Sequence, residues 1–264
     1  MSAYSVIHKD PFHSAEKTAE FLAGELGLSK EDAAEAYRSR TGFLLESAGL
    51  EKASAFNLRA SAEGFATALI NDDDLAALPT AVPISKIEFG TSEVYYTAGA
   101  VKHRVPVEGL RLLALHAVDV EVAPYEPLHH EATLFESIRN RYFPFKIPIK
   151  LDDKPTPPPN VKTKDTVFTA DIIVRGPELL RLTWTYDAFD YSGLGAKKTY
   201  SSLENLRLLF SELAAFCFKA GKNRLLAAFL KKEPLAPFRT ASAAAHEKEL
   251  RWLLTIGPKP EIKV

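Results

Sequence analysis

The stretch Ser14-Ala-Glu-Lys-Thr-Ala-Glu-Phe-Leu-Ala-Gly-Glu-Leu-Gly-Leu-Ser29 decides how the first quarter of the chain folds. Its apolar residues recur at helical spacing and predict a helix from about Ala15 to Leu26. Ser14 provides an N-cap, Gly27 suits the left-handed residue after the last turn, and Ser29 opens a second helix. The sequence therefore predicts two consecutive helices separated by a short turn.

Short extended segments flank these helices and complete a small module. Ala3–His8 predicts a first strand, Gly42–Glu46 a turn with a short second strand, and Phe65–Ile70 a closing strand. A third helix is expected over about Leu50–Glu63, ended by Gly64. The resulting order, β-α-α-β-α-β, predicts a separately folding domain over residues 1–78.

This module resembles the C-terminal domain of ribosomal protein L7/L12 and its structural relative ClpS over roughly residues 3–72. Four sequence steps carry the resemblance: Gly27-Leu-Ser-Lys-Glu-Asp-Ala33, Phe43-Leu-Leu-Glu46, Leu50-Glu-Lys-Ala53 and Ala62-Glu-Gly64. The resemblance implies a protein-binding module. It does not imply the peptide N-terminus recognition of ClpS, because His8-Lys-Asp10 replaces the Asn-Asp pair and Tyr37–Arg40 has no histidine.

Beyond a proline-containing linker, residues 84–264 predict a second, β-rich domain. Gly176-Pro177 is a turn signal and predicts a hairpin between two long apolar strands. Ser201-Ser202 precedes a predicted amphipathic helix of about 18 residues. Antiparallel strands followed by one helix resemble the element order of a pleckstrin-homology domain, with an insertion at about 123–166. The predicted class is therefore α+β with two domains.

Bulk composition excludes several classes of function. The net charge is −1, and no apolar run is long enough to cross a membrane. The lone cysteine, Cys217, lies in an apolar run and is expected to be buried. With no basic leader before an apolar core and no disulfide, the expected compartment is the cytoplasm. No cofactor is predicted, because phosphate loops, dinucleotide fingerprints and paired zinc cysteines are absent.

Charge is divided unevenly along the chain. Residues 1–78 carry 13 acidic and 7 basic side chains, a net of −6, whereas residues 79–264 carry 21 acidic and 26 basic, a net of +5. A basic cluster near the end is a candidate for an acidic protein, RNA or an anionic membrane surface. Its members are Lys219, Lys222, Arg224, Lys231, Lys232 and Arg239.

The sequence contains two further groups of polar residues, one at a turn and one that resembles a metal site. Asp190, Tyr191, Ser202 and Asn205 surround a glycine-rich reversal and are expected to form a structural polar turn. His129 and His130 beside two glutamates offer a metal site, although the helical spacing used by zinc hydrolases is missing. The leading prediction is a non-catalytic adaptor or scaffold that binds a protein and not DNA. The alternatives are lipid-headgroup or small-ligand binding by the second domain, and a metal-dependent hydrolase at the two histidines.

Overall fold

The computed structural model describes residues 2–122 and 163–257. Contacts divide the chain into two compact units, one of residues 1–118 and 167–264 and the other of residues 119–166. In the second unit, the hydroxyl of Thr166 donates to the carboxylate of Asp119 (2.8 Å). The first unit contains all the features discussed below.

The helices in the described ranges are α1 (Ala15–Leu26), α2 (Lys30–Arg40), α3 (Leu50–Ala62), α4 (Ser202–Phe216), α5 (Arg224–Lys231) and α6 (Ala243–Ile256). The strands are β1 (Tyr4–His8), β2 (Phe43–Ala48), β3 (Thr67–Asn71), β4 (Ala81–Pro83), β5 (Lys86–Phe89), β6 (Glu93–Ala98), β7 (Val101–Pro106), β8 (Leu110–Val122), β9 (Thr163–Arg175), β10 (Leu179–Thr185) and β11 (Gly221–Lys222). The predicted α+β class is confirmed.

The predicted β-α-α-β-α-β order of the N-terminal residues is confirmed. The residues expected to begin α1 and α2 and to end α1 do so. The hydroxyl of Ser14 accepts from the amide of Lys17, and that of Ser29 accepts from the amide of Asp32. Gly27 ends α1 with a φ of 65°. Strands pair antiparallel in the order β2-β1-β3. Independent folding of residues 1–78 stays a prediction, since these residues belong to the same compact unit as residues 167–264.

Two further sheets follow, a mixed five-stranded sheet in the order β11-β8-β9-β10-β4 and an antiparallel meander β5-β6-β7. Residues 81–83, expected in the linker, instead form β4, which pairs parallel with β10. Pro83 is tolerated there because β4 is an edge strand and needs no further backbone donor. The resemblance to a pleckstrin-homology domain stays a prediction.

Alternating side chains bury both faces of the N-terminal sheet and of the five-stranded sheet. Val6 of β1 packs in the cluster covered by α1 and α3, whereas its neighbour Ile7 packs in a different cluster with α6. On β8, Leu112 joins Ile7, whereas Leu113 packs with α4, α5 and the meander. Helix α6 therefore lies between the N-terminal sheet and the five-stranded sheet, and its apolar surface belongs to both.

Trp252 fixes the position of α6. Its indole N–H donates to the backbone carbonyl of His8 (2.7 Å), and its side chain is 1% exposed. Gly42 lies directly beneath the ring, with a φ of +91° and so little space that a Cβ would fall 2.1 Å from the indole. Leu250, Trp252 and Leu253 of α6 thus pack into the core of this chain.

We expect Gly42→Ala to destabilise the protein by about 2–4 kcal/mol, since the new methyl would need both a strained positive φ and displacement of Trp252. Urea unfolding measures the loss. Gly24→Ala is the matched control: Gly24 lies within α1, and a Cβ there meets nothing within 4 Å. It should stabilise by about 0.5–1 kcal/mol. Equal effects of the two changes would contradict the role assigned to Trp252.

Candidate functional site

A cleft of about 460 Å³ opens between the end of α6, the β9–β10 hairpin and the residues around β11. We call it the cationic cleft and define it by its lining residues: Pro11, Phe12, Ala76, Arg111, Leu112, Arg175, Leu179, Phe218, Ala220, Gly221, Lys222, Leu253, Leu254, Ile256 and Gly257. Its volume falls in the range of small-ligand sites, roughly 300–1,000 Å³.

Apolar side chains form most of the cleft surface. Three large apolar side chains of the lining are exposed: Phe12 (60%), Leu179 (39%) and Phe218 (59%). Their exposure is unfavourable, because burying apolar surface lowers the free energy. Leu112 and Leu253 are buried beneath them. Exposed large apolar side chains gathered in one concavity are typical of a binding site.

Three cations complete the lining, Arg111 of β8, Arg175 at the end of β9 and Lys222 of β11. Among the residues that the structure describes, the lining has no acidic side chain and no serine, threonine, asparagine, glutamine, tyrosine or histidine. The cleft therefore combines an apolar surface with positive charge alone.

No cysteine, serine or threonine side chain is among the described residues of the lining. Cys217 precedes Phe218 but is buried, as expected, and its thiol donates to the carbonyl of Val107 (3.2 Å). Burial raises the pKa of this thiol, because the thiolate would be poorly solvated. Cys217 is therefore a packing residue at the edge of the cleft.

The six basic residues that the sequence analysis grouped together lie in different surroundings. Lys222 lines the cleft, and the ammonium of Lys219 lies over the ring of Phe218 (5.7 Å to its centre) at the cleft mouth. Arg224 is largely buried and donates to the carbonyl of His13 (2.6 Å). The others are Lys231 and Lys232, both exposed at the end of α5, and Arg239, which lines a smaller cavity. Arg111 and Arg175 were missed, because strand pairing brings them near Lys222 from distant sequence positions.

The side chains of the predicted polar turn bond mainly within their own segment, and the backbone amide of Asp190 also donates to the carbonyl of Ser85 (2.8 Å). Asp190 accepts from the amide and hydroxyl of Ser192 (both 2.8 Å), and the hydroxyl of Tyr191 donates to the carbonyl of Tyr186 (2.8 Å). The amide side chain of Asn205 bonds both backbone groups of Thr199. Ser202 is the first residue of α4, and Ser201 provides the cap. These contacts assign a structural role to the turn.

A second group of polar residues is buried between α6 and the five-stranded sheet. Asp171, which is fully buried, accepts from Arg181 (2.6 Å) and from Nε2 of His246 (3.0 Å). Glu249 lies 3.5 Å from Nδ1 of the same imidazole and accepts from Asn223 (2.9 Å). Each buried charge has an opposite charge beside it, which is the arrangement that burial requires.

This cluster keeps His246 charged. Burial alone would lower the pKa of its imidazole, but the hydrogen bonds and charges of Asp171 and Glu249 outweigh burial and raise the pKa to about 9. Three other buried histidines behave oppositely. Burial is the main cause that lowers the pKa of His8 to about 3 and those of His13 and His116 to about 4.

We expect the free energy of unfolding to be greatest near pH 6.5, the ordinary histidine pKa. Above it, the native state holds a proton on His246 that the unfolded chain releases, so stability falls by roughly 3 kcal/mol as pH rises towards 9. Below it, the unfolded chain protonates His8, His13 and His116, whereas the native state does not, so stability falls again.

Urea unfolding at several pH values tests this. His246→Gln should remove the decline between pH 6.5 and 9. His103→Gln, a change on the exposed surface of β7, should leave the whole profile unchanged. An alkaline decline of the same size in both variants would show that His246 is not its source.

Other site predictions find no support within the residues that the structure describes. His129 and His130 lie outside them. Within them, no three histidine, cysteine or acidic side chains are grouped so as to hold a metal ion. None of the described helices has the length and apolar character needed to cross a bilayer.

Comparison with protein-family models, curated proteins and solved structures gave no match to this chain. The resemblances to L7/L12, ClpS and pleckstrin-homology domains therefore stay predictions.

Proposed function

We propose that the protein is a non-catalytic binding protein whose cationic cleft takes a ligand with an apolar body and a single anionic group, such as a fatty acid. One observation carries the proposal: within the described part of the chain, the lining joins exposed apolar side chains to three cations and has no other polar side chain. Binding of a small ligand was one of the two alternative functions predicted from the sequence. The absence of catalytic activity, also predicted there, stays part of the proposal.

The composition of the lining selects the body of the ligand. A sugar or nucleoside would bring several hydroxyl and amide groups into a cleft with few partners for them. Each polar group buried without a partner costs about 1–3 kcal/mol. An acyl chain has no such groups, and its burial against Phe12, Leu179 and Phe218 gains roughly 25 cal/mol for each Å² removed from water.

The three cations select the head of the ligand. A guanidinium presents paired N–H donors that match the two oxygens of a carboxylate, so Arg111 and Arg175 suit such a group. Lys222 adds a third positive charge to the lining. A cationic head would instead meet three like charges at close range.

A partner protein is the second candidate, in keeping with the adaptor predicted from the sequence. β11 lies at the edge of the five-stranded sheet and lines the cleft, so an extended peptide could add to it as a further strand. The C-terminal carboxylate and last apolar side chain of such a peptide offer the same chemistry as a fatty acid. The two candidates therefore differ in whether backbone amides are required.

We expect decanoate to bind the purified protein in isothermal titration calorimetry. Butyrate has the same head with a short tail, and decyltrimethylammonium has the same tail with the opposite charge, so neither should bind measurably. Arg111→Gln and Arg175→Gln should each weaken decanoate binding roughly three- to tenfold, since both cations are partly exposed to solvent.

Arg104→Gln is the matched control, because Arg104 lies on β7, outside the cleft, and its side chain is 73% exposed. It should leave binding unchanged. Equal binding of decanoate and decyltrimethylammonium would contradict a cation-selected head. Binding of a leucine-ending peptide with a free carboxylate, but not of its amide or of decanoate, would favour the second candidate.

A further inference from the structure

A smaller cavity, of about 30 Å³, lies where α2 and α6 meet the loop before α1 and the residues after α5. Its wall includes His13, Tyr37, Arg224, Thr240 and Glu249. We call it the polar pocket. It shares no lining residue with the cationic cleft, so it forms a separate site. Its volume matches one small ion or about two water molecules.

Three buried polar atoms on this wall have no hydrogen-bond partner among the described residues: Nε2 of His13, the hydroxyl of Tyr37 and the hydroxyl of Thr240. His13 itself is only 8% exposed. Buried polar groups in folded proteins are almost always satisfied, by protein, water or an ion. Three unsatisfied atoms around one cavity therefore indicate an occupant.

Charge indicates the sign of that occupant. The guanidinium of Arg224 is largely buried, donates to the carbonyl of His13 and lies beside the rings of Tyr37 and Phe238. Within the described part of the chain, no carboxylate lies within 4 Å of it, unlike the buried Arg181 with its two acids. Glu249 is on the wall but already accepts from Asn223 and faces the charged His246.

The hydrogen bond made by Nδ1 of His13 determines which ring nitrogen carries the hydrogen when the imidazole is neutral. Nδ1 lies 2.7 Å from the carbonyl of Asp10, and because a carbonyl only accepts, Nδ1 carries the hydrogen. In the neutral ring, Nε2 therefore presents a lone pair to the pocket, which would repel an anion. Protonation converts Nε2 into a donor, so that an anion and a proton favour each other's binding.

We propose that the polar pocket binds one small monovalent anion, of which chloride is the physiological example, together with a proton on Nε2 of His13. Arg224 supplies the fixed positive charge, and the hydroxyls of Tyr37 and Thr240 donate to the ion. An oxyanion the size of sulfate exceeds the volume. The association is reversible and breaks no covalent bond.

The coupling sets a direction with pH. In the empty pocket, burial lowers the pKa of His13 to about 4, so near neutral pH the ion must bring the proton with it. Chloride affinity should therefore rise as pH falls from 8 to 5, by up to about tenfold for each pH unit. The other charged or titratable groups around His13 are His8, Asp10, Tyr37, Arg38, Arg224, Arg239 and Glu249. His8 stacks on His13 and stays neutral in this range, since its pKa is about 3.

Two measurements on the full chain test the site. Crystals grown in sodium bromide at pH 5 should show an anomalous bromine peak in the polar pocket. In solution, replacing gluconate by chloride at equal ionic strength should raise the melting temperature by about 2–5 °C at tenfold excess over the Kd. The rise should be larger at pH 5 than at pH 8.

Variants separate the site from a general salt effect. Tyr37→Phe keeps the ring but removes one donor, and should reduce the chloride-dependent rise at least by half. Tyr95→Phe, which removes a hydroxyl on β6 that bonds Glu93, should leave the rise intact. His13→Asn should abolish its pH dependence. A pocket without a bromine peak, or an equal rise in the Tyr37 and Tyr95 variants, would overturn the proposal and leave only water there.

Discussion

Helix α6 fills the space between two sheets, and the hydrogen bond from the indole of Trp252 to the carbonyl of His8 sets its depth. The two bonded residues are 244 positions apart in the sequence. Gly42 is part of the same constraint, because only a residue without a side chain leaves room for the ring. The N-terminal sheet therefore gains its second apolar layer from the opposite end of the chain.

The cationic cleft depends on this arrangement. Leu253, Leu254 and Ile256 follow Trp252 directly and form one wall, while Phe12 enters from the loop after β1. The cations come from a third source, the five-stranded sheet, where pairing of β11 with β8 brings Lys222 beside Arg111. Three parts of the chain thus meet at one opening, and a change that displaced Trp252 would move the wall without touching a cation.

This dependence explains which features the sequence alone could predict. The caps at Ser14 and Ser29 and the turn at Gly27 act within a few residues, so their residue types were sufficient to place α1 and α2. The sequence predicts a linker where β4 forms, because an edge strand of three residues that ends in proline shows no strand pattern of its own. Arg111 and Arg175 could not be recognised as neighbours, since their proximity arises from strand order rather than spacing. The six basic residues are spread for the same reason: Lys231 is exposed at the end of α5, whereas Arg224 at its start is largely covered, and binding through them stays a prediction.

The distribution of buried charge distinguishes groups that hold the fold together from groups that are available to a ligand. Arg181 and His246 are buried, but each has carboxylates beside it, so the fold itself compensates the cost of removing them from water. Arg224 is largely buried and has no carboxylate within 4 Å among the described residues, although the charges of Glu249 and Asp10 act on it from farther away; the cleft gathers three cations. Removing a charge from water without a counter-charge costs several kcal/mol, which a fold recovers only if something else supplies the opposite sign. Among the described residues, basic side chains outnumber acidic ones around the cationic cleft and the polar pocket, so we expect an anion at either place to stabilise the native state.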